Sequence, residues 1–166
     1  MVVDSFKFLP RSFRPLYEGR GPHHGEEEPV WTPFAKRLAA ARIALLTSAG
    51  LYVDGEQPPF DLDGERERPE WGDPSWRAIP AERDGLGVAH LHINEDDLLA
   101  DAEIALPARA LRQLVADGVA GSAARSHVSV MGYQDRRLRD WKSTTAPAIA
   151  AHLRDQEVDG LVLAPA

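Results

Sequence analysis

The sequence contains no cysteine, which removes disulfides, thiolate metal ligands, iron–sulfur ligation and thiol nucleophiles from the chemistry open to its own side chains. It also lacks an apolar run long enough to cross a bilayer. The segment from Met1 to Pro10 carries Asp4 where a signal peptide keeps an unbroken apolar stretch, so the cytoplasm is the expected compartment. Positive charge is scarce: 19 Lys and Arg stand against 26 Asp and Glu, a formal net charge of −7. Nucleic-acid binding depends on Lys and Arg displacing counterions from phosphates, so this balance excludes a nucleic-acid partner and favours a small or cationic ligand.

Two catalytic signatures are missing as well. Thr47-Ser48-Ala49-Gly50 offers hydroxyls and a backbone that a ligand can approach closely, but it has the glycine pattern of neither a dinucleotide loop nor a P-loop. Ser48 and Ser129 sit in no Gly-x-Ser-x-Gly elbow, which disfavours a serine hydrolase.

What is present fits one domain, since 166 residues suffice for a single core. Residues 1–29 read as an N-terminal arm and polar loop, and residues 30–166 as one α/β domain. In the arm, Phe6, Phe8, Leu9, Phe13, Leu16 and Tyr17 are interrupted by Pro10 and Pro15, which forbid a long helix. It either packs on its own domain or offers a partner interface. The loop from Gly19 to Pro29, with His23, His24 and Glu26 to Glu28, reads as solvated.

Four strands are expected, at Arg42 to Leu46, Val88 to Ile93, His127 to Met131 and Leu161 to Leu163. Pro107 opens a helix that Gly118 ends, and a second helix starts near Pro147 with Ile149 and Leu153 turned inward. The order implies a three-layer fold: a mainly parallel sheet with helices on both faces. The irregular arm and a long tryptophan-containing loop, Asp54 to Asp84 with Trp71 and Trp76, lie outside the sheet in this reading. Ligands of such sheets gather at the carboxyl ends of the strands.

Alternation along a strand puts His90 and His92 on one face, while Asp97 and Asp101 lie four apart if the chain turns helical after Asn94. Such a set suits a divalent metal with an open position, or a general acid/base pair. The structural alternative has one histidine paired with a carboxylate while Asn94, Asp96 and Asp97 cap or turn the chain. His127, at the start of its strand, reads equally as a structural histidine bonded to backbone.

Four segments in order, Val30-Trp31-Thr32-Pro33-Phe34, Ala44-Leu45-Leu46-Thr47-Ser48-Ala49-Gly50, Gly72-Asp73-Pro74-Ser75-Trp76-Arg77-Ala78-Ile79-Pro80 and His127-Val128-Ser129-Val130-Met131-Gly132, resemble the selenoprotein B family of glycine, sarcosine, betaine and D-proline reductases. The resemblance runs from Val30 to Pro165. Asp97 and Asp101 fall where that family carries aspartates, whereas Glu103 replaces its asparagine.

The resemblance implies a subunit of a multiprotein complex that reductively cleaves the carbon–nitrogen bond of a small amino acid or betaine. Its partners would be other subunits of that complex or a second copy of the chain. The implied substrate residues are Thr47, Ser48, Gly50, His90, Asp97, Asp101, His127 and Gly132. In the family, the strand matching Asp159 to Pro165 leads into a selenocysteine or cysteine that performs the redox step. The resemblance therefore implies a native product that continues past Ala166 with such a residue, a selenocysteine codon having been read as a stop. A paralogue whose partner supplies the redox group is the competing account. Two further readings stay open: a metal-dependent lyase or hydrolase using His90, His92, Asp97 and Asp101, and a non-catalytic binding or scaffold module.

Overall fold

The computed structural model describes residues 32–68, 71–91, 93–134 and 138–166. The chain divides into two units, residues 1–33 and 34–166, and every element below belongs to the second. Expectations for the aromatic arm, for His23 and His24, and for His92 lie outside the described residues.

Strand β1 (Arg42–Thr47) is the centre of the sheet, and its sequence explains why: Ile43, Ala44 and Leu45 are apolar in succession, as a strand covered on both faces requires. On one side it pairs in parallel with β7 (Gly160–Ala164). On the other it pairs in parallel with β5 (Ser122–Ala123) and then with β6 (Ser126–Val130), two parts of one passage of chain. The outer strand β3 (Trp76–Pro80) runs antiparallel to β6, so the sheet is mixed but mostly parallel.

Between β5 and β6 the ladder slips. Ile43 faces Ala123 and Leu46 faces Val128, so three steps along β1 match five along its neighbour, a bulge of two residues. The displaced backbone groups find side chains instead. The Leu45 N–H donates to His127 Nδ1 at 3.3 Å, and the Ser126 N–H donates to Gln156 Oε1 at 2.9 Å.

Both faces of the sheet are covered around β1 and β6. Ile43, Leu45 and Ile79 pack with Leu98 of helix α2 (Glu95–Ala100) and Leu111 of helix α3 (Ala108–Ala116). Val128 and Val130 pack with Ile149 of helix α4 (Ala146–Asp155), with Leu46, Trp76 and Leu153 against them. Each fully buried side chain of this size contributes roughly 1.5–3 kcal/mol. The three-layer architecture and the parallel setting of the last two strands about β1 follow the sequence expectation.

The helix ends show local causes. At the start of α3 the Glu103 carboxylate accepts the N–H groups of Arg109 (2.6 Å) and Ala110 (3.1 Å), so this glutamate is a helix cap. Gly118, at φ 71°, ends the same helix, with Val119 N–H returning to Leu114 O at 2.9 Å. Helix α4 starts at Ala146, beside Pro147 as the sequence implies, and a π-helical turn at Trp141–Thr145 precedes it, accommodating a proline that has no N–H for the preceding turn.

Two expectations need correction. Val88 to Ile93 is not a strand of the main sheet; the regular part is β4 (Leu86–Val88), paired antiparallel with β2 (Leu51–Val53) as a separate ribbon. Gly87 makes that pairing possible, because a Cβ there would meet the Tyr52 ring at 2.3 Å. The tryptophan segment, in turn, is not wholly outside the sheet. It contains helix α1 (Leu62–Glu67) and ends in β3, whose Trp76 packs inward against the α4 side. No helix among the described residues is long and apolar enough to cross a membrane.

Candidate functional site

Because β1, β6 and β7 run in parallel, their carboxyl ends share one edge of the sheet. The antiparallel direction of β3 brings the residues before Trp76, Gly72-Asp73-Pro74-Ser75, to that same edge.

Thr47, the last residue of β1, is fully buried opposite Ser129, and its Oγ1 accepts the Ala49 N–H at 3.2 Å. That bond turns the chain over the end of β6, where the Gly50 N–H donates to Val130 O at 3.0 Å and Gly50 O accepts the Ala89 N–H at 3.0 Å. Gly50 is required twice over: its φ is 65°, and a Cβ would fall 2.1 Å from Ala89 O. Ser48 Oγ accepts the Ala166 N–H at 2.9 Å, joining the ends of β1 and β7.

His90 is nearly buried, at 6% exposure, and its ring lies over Gly132. A Cβ at Gly132 would stand 3.1 Å from both His90 Nε2 and Ser48 O. The carboxyl edge thus gathers Thr47, Ser48, Gly50, His90 and Gly132 from three stretches of chain. Only the glycines, each needed for close approach, make that packing possible.

The remaining candidates sit elsewhere. Asp97 Oδ2 accepts from Asn94 Nδ2 at 3.0 Å in the first turn of α2. Asp101 Oδ1 accepts the Glu103 N–H at 3.2 Å and caps a short 3-10 turn. Both line a cavity of about 580 Å³ with Ile93, Leu98 and Ile104, which neither His90 nor Thr47 borders. Among the described residues no three His, Asp or Glu side chains are grouped to hold a metal. His127 lies near the opposite end of β6 from Gly132, 1% exposed, with Nδ1 facing Leu45. Burial, reinforced by the positive charge of Arg112 and offset in part by Glu103, lowers its pKa to about 4, so it is neutral at pH 7.

The edge carries a second feature that the strand pattern did not single out. Gly72 packs on Tyr133, with a Cβ position 2.0 Å from Tyr133 O, and Gln134 Nε2 donates to both Asp73 O (3.0 Å) and Met131 O (2.9 Å). Asp73 is buried, accepting the N–H groups of Asp61 (3.0 Å) and Ser75 (2.8 Å). Burial pushes its carboxyl up, but the Ser75 hydroxyl, those two N–H groups and the Arg77 charge outweigh burial and hold it below the usual carboxylate range. Beside it opens a cavity of about 460 Å³, lined by Asp73, Ser75, Trp76, Asp140, Thr144 and Thr145 among others. The signal for this feature in the sequence is Gly72-Asp73-Pro74-Ser75, a turn-forming set directly before a tryptophan.

Comparison with known proteins bears on what this edge does. Over 137 residues the chain is 28% identical to the D-proline reductase subunit gamma of Acetoanaerobium sticklandii, a match covering 81% of this chain and 52% of that protein. The chain spans about half the length of that curated relative. No family model matches the chain, and no solved structure matches it.

Trp76 and Asp140 among its lining residues are types that attract an ammonium or alkylated ammonium, so a cavity of this size suits a small organic cation. The Asp73 carboxylate is already held by Asp61, Ser75 and the Arg77 charge.

Proposed function

We propose that this chain is a subunit of a reductase complex of the selenoprotein B kind, one that cleaves the carbon–nitrogen bond of a small amino acid or betaine-like substrate. Its share is the substrate pocket at the carboxyl edge of the sheet. The observation that carries the reading is the cavity lined by Asp73, Trp76 and Asp140, tied through Gln134 to the strand end where Gly132, Ser48 and His90 meet. Similarity to a D-proline reductase subunit over most of the chain supports the reaction class.

Reductive cleavage breaks the carbon–nitrogen bond while a dithiol, or a selenol with a thiol, is oxidised. These 166 residues contain no cysteine, so the redox pair comes from outside them and the chain is inactive alone. In this reading the pocket holds the cationic nitrogen of the substrate.

The test is ligand titration of the purified chain by NMR or calorimetry with D-proline, glycine, sarcosine and betaine. At least one should bind, and Asp140→Asn should weaken binding about tenfold, the loss of one partly exposed charge contact. Failure of all four to bind a chain shown to be folded defeats the reading. So does binding that Asp140→Asn leaves unchanged.

A further inference from the structure

A second cavity, of about 310 Å³, lies toward the other end of β6 from Gly132, among the last residues of β3, the start of β4 and helices α2 and α3. Its walls run from Ile79 to Arg112, in the middle of the sequence. Ile79, Leu98 and Leu106 are its buried apolar part, and three arginines share the lining with three carboxylates. The volume stands at the lower end of the roughly 300–1,000 Å³ of small-molecule sites, which combine apolar walls with a few placed polar groups.

The three arginines are not equivalent. Arg83 pairs with Glu56, and the exposed Arg109 reaches Asp101 at 3.4 Å. Arg112 is half-buried on α3 and donates from Nη1 to the carbonyl of Ala81. No carboxylate among the described residues lies within ion-pairing distance of it, and its Nε and Nη2 donors are unused. A guanidinium drawn partly out of water ordinarily has an anion to compensate it. Glu103 is committed elsewhere, since its two oxygens accept the N–H groups of Arg109 and Ala110 and so cap α3.

A second unmet donor lies on the same face of the sheet. His127 stands opposite Ile79 in the ladder between β3 and β6, so the two side chains share that face. Its Nδ1 accepts the Leu45 N–H, which puts its hydrogen on Nε2, and that buried N–H finds no acceptor among the described residues. The charges that act on His127 are those of Arg112 and Glu103, both in the cavity lining.

We propose that this cavity binds a small monocarboxylate, its two oxygens on the Nε and Nη2 donors of Arg112 and its apolar body on Ile79, Leu98 and Leu106. That edge of a guanidinium matches one carboxylate through two parallel hydrogen bonds. Asp84, Asp101 and Glu103 oppose a second negative charge, so a phosphate dianion fits less well. The buried aliphatic wall suits a short aliphatic or aromatic acid. This inference does not depend on the reductase reading, because the cavity shares no lining residue with that of Asp73, Trp76 and Asp140.

The probes are butanoate and benzoate, titrated into the isotope-labelled 166-residue chain. At least one should give saturable NMR shifts centred on Ile79, Leu98, Leu106 and Arg112, and inorganic phosphate should bind at least about tenfold more weakly. Arg112→Gln keeps a donor for Ala81 but removes the charge, and should weaken binding about tenfold. Arg109→Gln, which loses only an exposed ion pair, should change it by less than about twofold. Circular dichroism checks both folds. Should Arg112→Gln fail to fold, Arg112→Lys takes its place with a similar loss expected, because an ammonium lacks the paired donors. Four results overturn the proposal: no saturable binding of either acid, shifts centred on Asp73 and Trp76 instead, phosphate bound as tightly as the carboxylates, or an affinity that the Arg112 variant leaves unchanged.

Discussion

The backbone N–H of Leu45 is bonded to the Nδ1 of His127, at 3.3 Å, in a place where a parallel neighbour would ordinarily offer a carbonyl. The two-residue slip between β5 and β6 removes that carbonyl, and a buried imidazole replaces it. An acceptor at Nδ1 must be unprotonated. The fold therefore requires neutral His127.

Its pH consequence has a definite sign. The pKa falls from an ordinary 6.5 to about 4 in the folded chain, so the unfolded chain binds the proton more readily. The stabilisation is fully present above pH 6.5 and is lost as pH falls toward 4. The gap corresponds to roughly 3 kcal/mol. Urea unfolding of the wild type between pH 7 and pH 4 should lose more stability than that of His127→Gln, which cannot titrate. Parallel curves for the two proteins would refute the assignment.

Gly50 and Gly118 share a left-handed backbone but not their surroundings. A Cβ at Gly118 meets nothing within 4 Å, whereas at Gly50 it strikes Ala89 O. Gly118→Ala should cost about 1 kcal/mol, the strain of the conformation alone. Gly50→Ala adds a backbone collision and should cost on the order of 3 kcal/mol or more, with the packing of His90 on Gly132 disturbed. Chemical denaturation of the two variants side by side measures the difference.

Asp73 ties its own segment to Asp61 through its carboxylate, and its lowered pKa places the stabilisation above the ordinary value of 3.8, to be lost as pH falls below it. Asp73→Asn turns an amide N–H₂ toward a backbone N–H. It should destabilise the chain at neutral pH by about 1–3 kcal/mol, and less at pH 3. An equal loss at both pH values would count against the charged role.

Arg77 donates to Pro58 O (2.9 Å), Pro59 O (3.2 Å) and Trp76 O (3.0 Å), and its guanidinium stacks 4.3 Å from the Phe60 ring centre. No ammonium reproduces that planar set of donors. Arg77→Lys should cost roughly 1–3 kcal/mol, read from the shift in urea midpoint, and should loosen the loop before Phe60 in hydrogen exchange. An unchanged midpoint would show these bonds to be incidental.

The parts of the fold legible in the sequence are those governed by neighbours in the chain. Ile43-Ala44-Leu45-Leu46 reads as a strand because its apolar residues are consecutive, and Pro107 and Gly118 bracket α3 through their own backbone preferences. The same logic overextended β4, since Val88-Ala89-His90 is apolar enough for a strand but finds only Leu51 to Val53 to pair with. Of the candidate residues read from the sequence, Ser48, Gly50, His90 and Gly132 lie close together, while Asp97 bonds the Asn94 side chain and Asp101 caps a short 3-10 turn.

By itself the sequence determined the α/β class, the parallel core about β1 and the lack of a thiol within these 166 residues, because composition and short-range periodicity are properties of the chain alone. Tertiary structure decided the rest. The direction of β3 brings Asp73 and Trp76 to the carboxyl edge, and no local pattern encodes strand direction. The slip between β5 and β6 gives His127 its backbone partner, since register is set by how two distant segments pack.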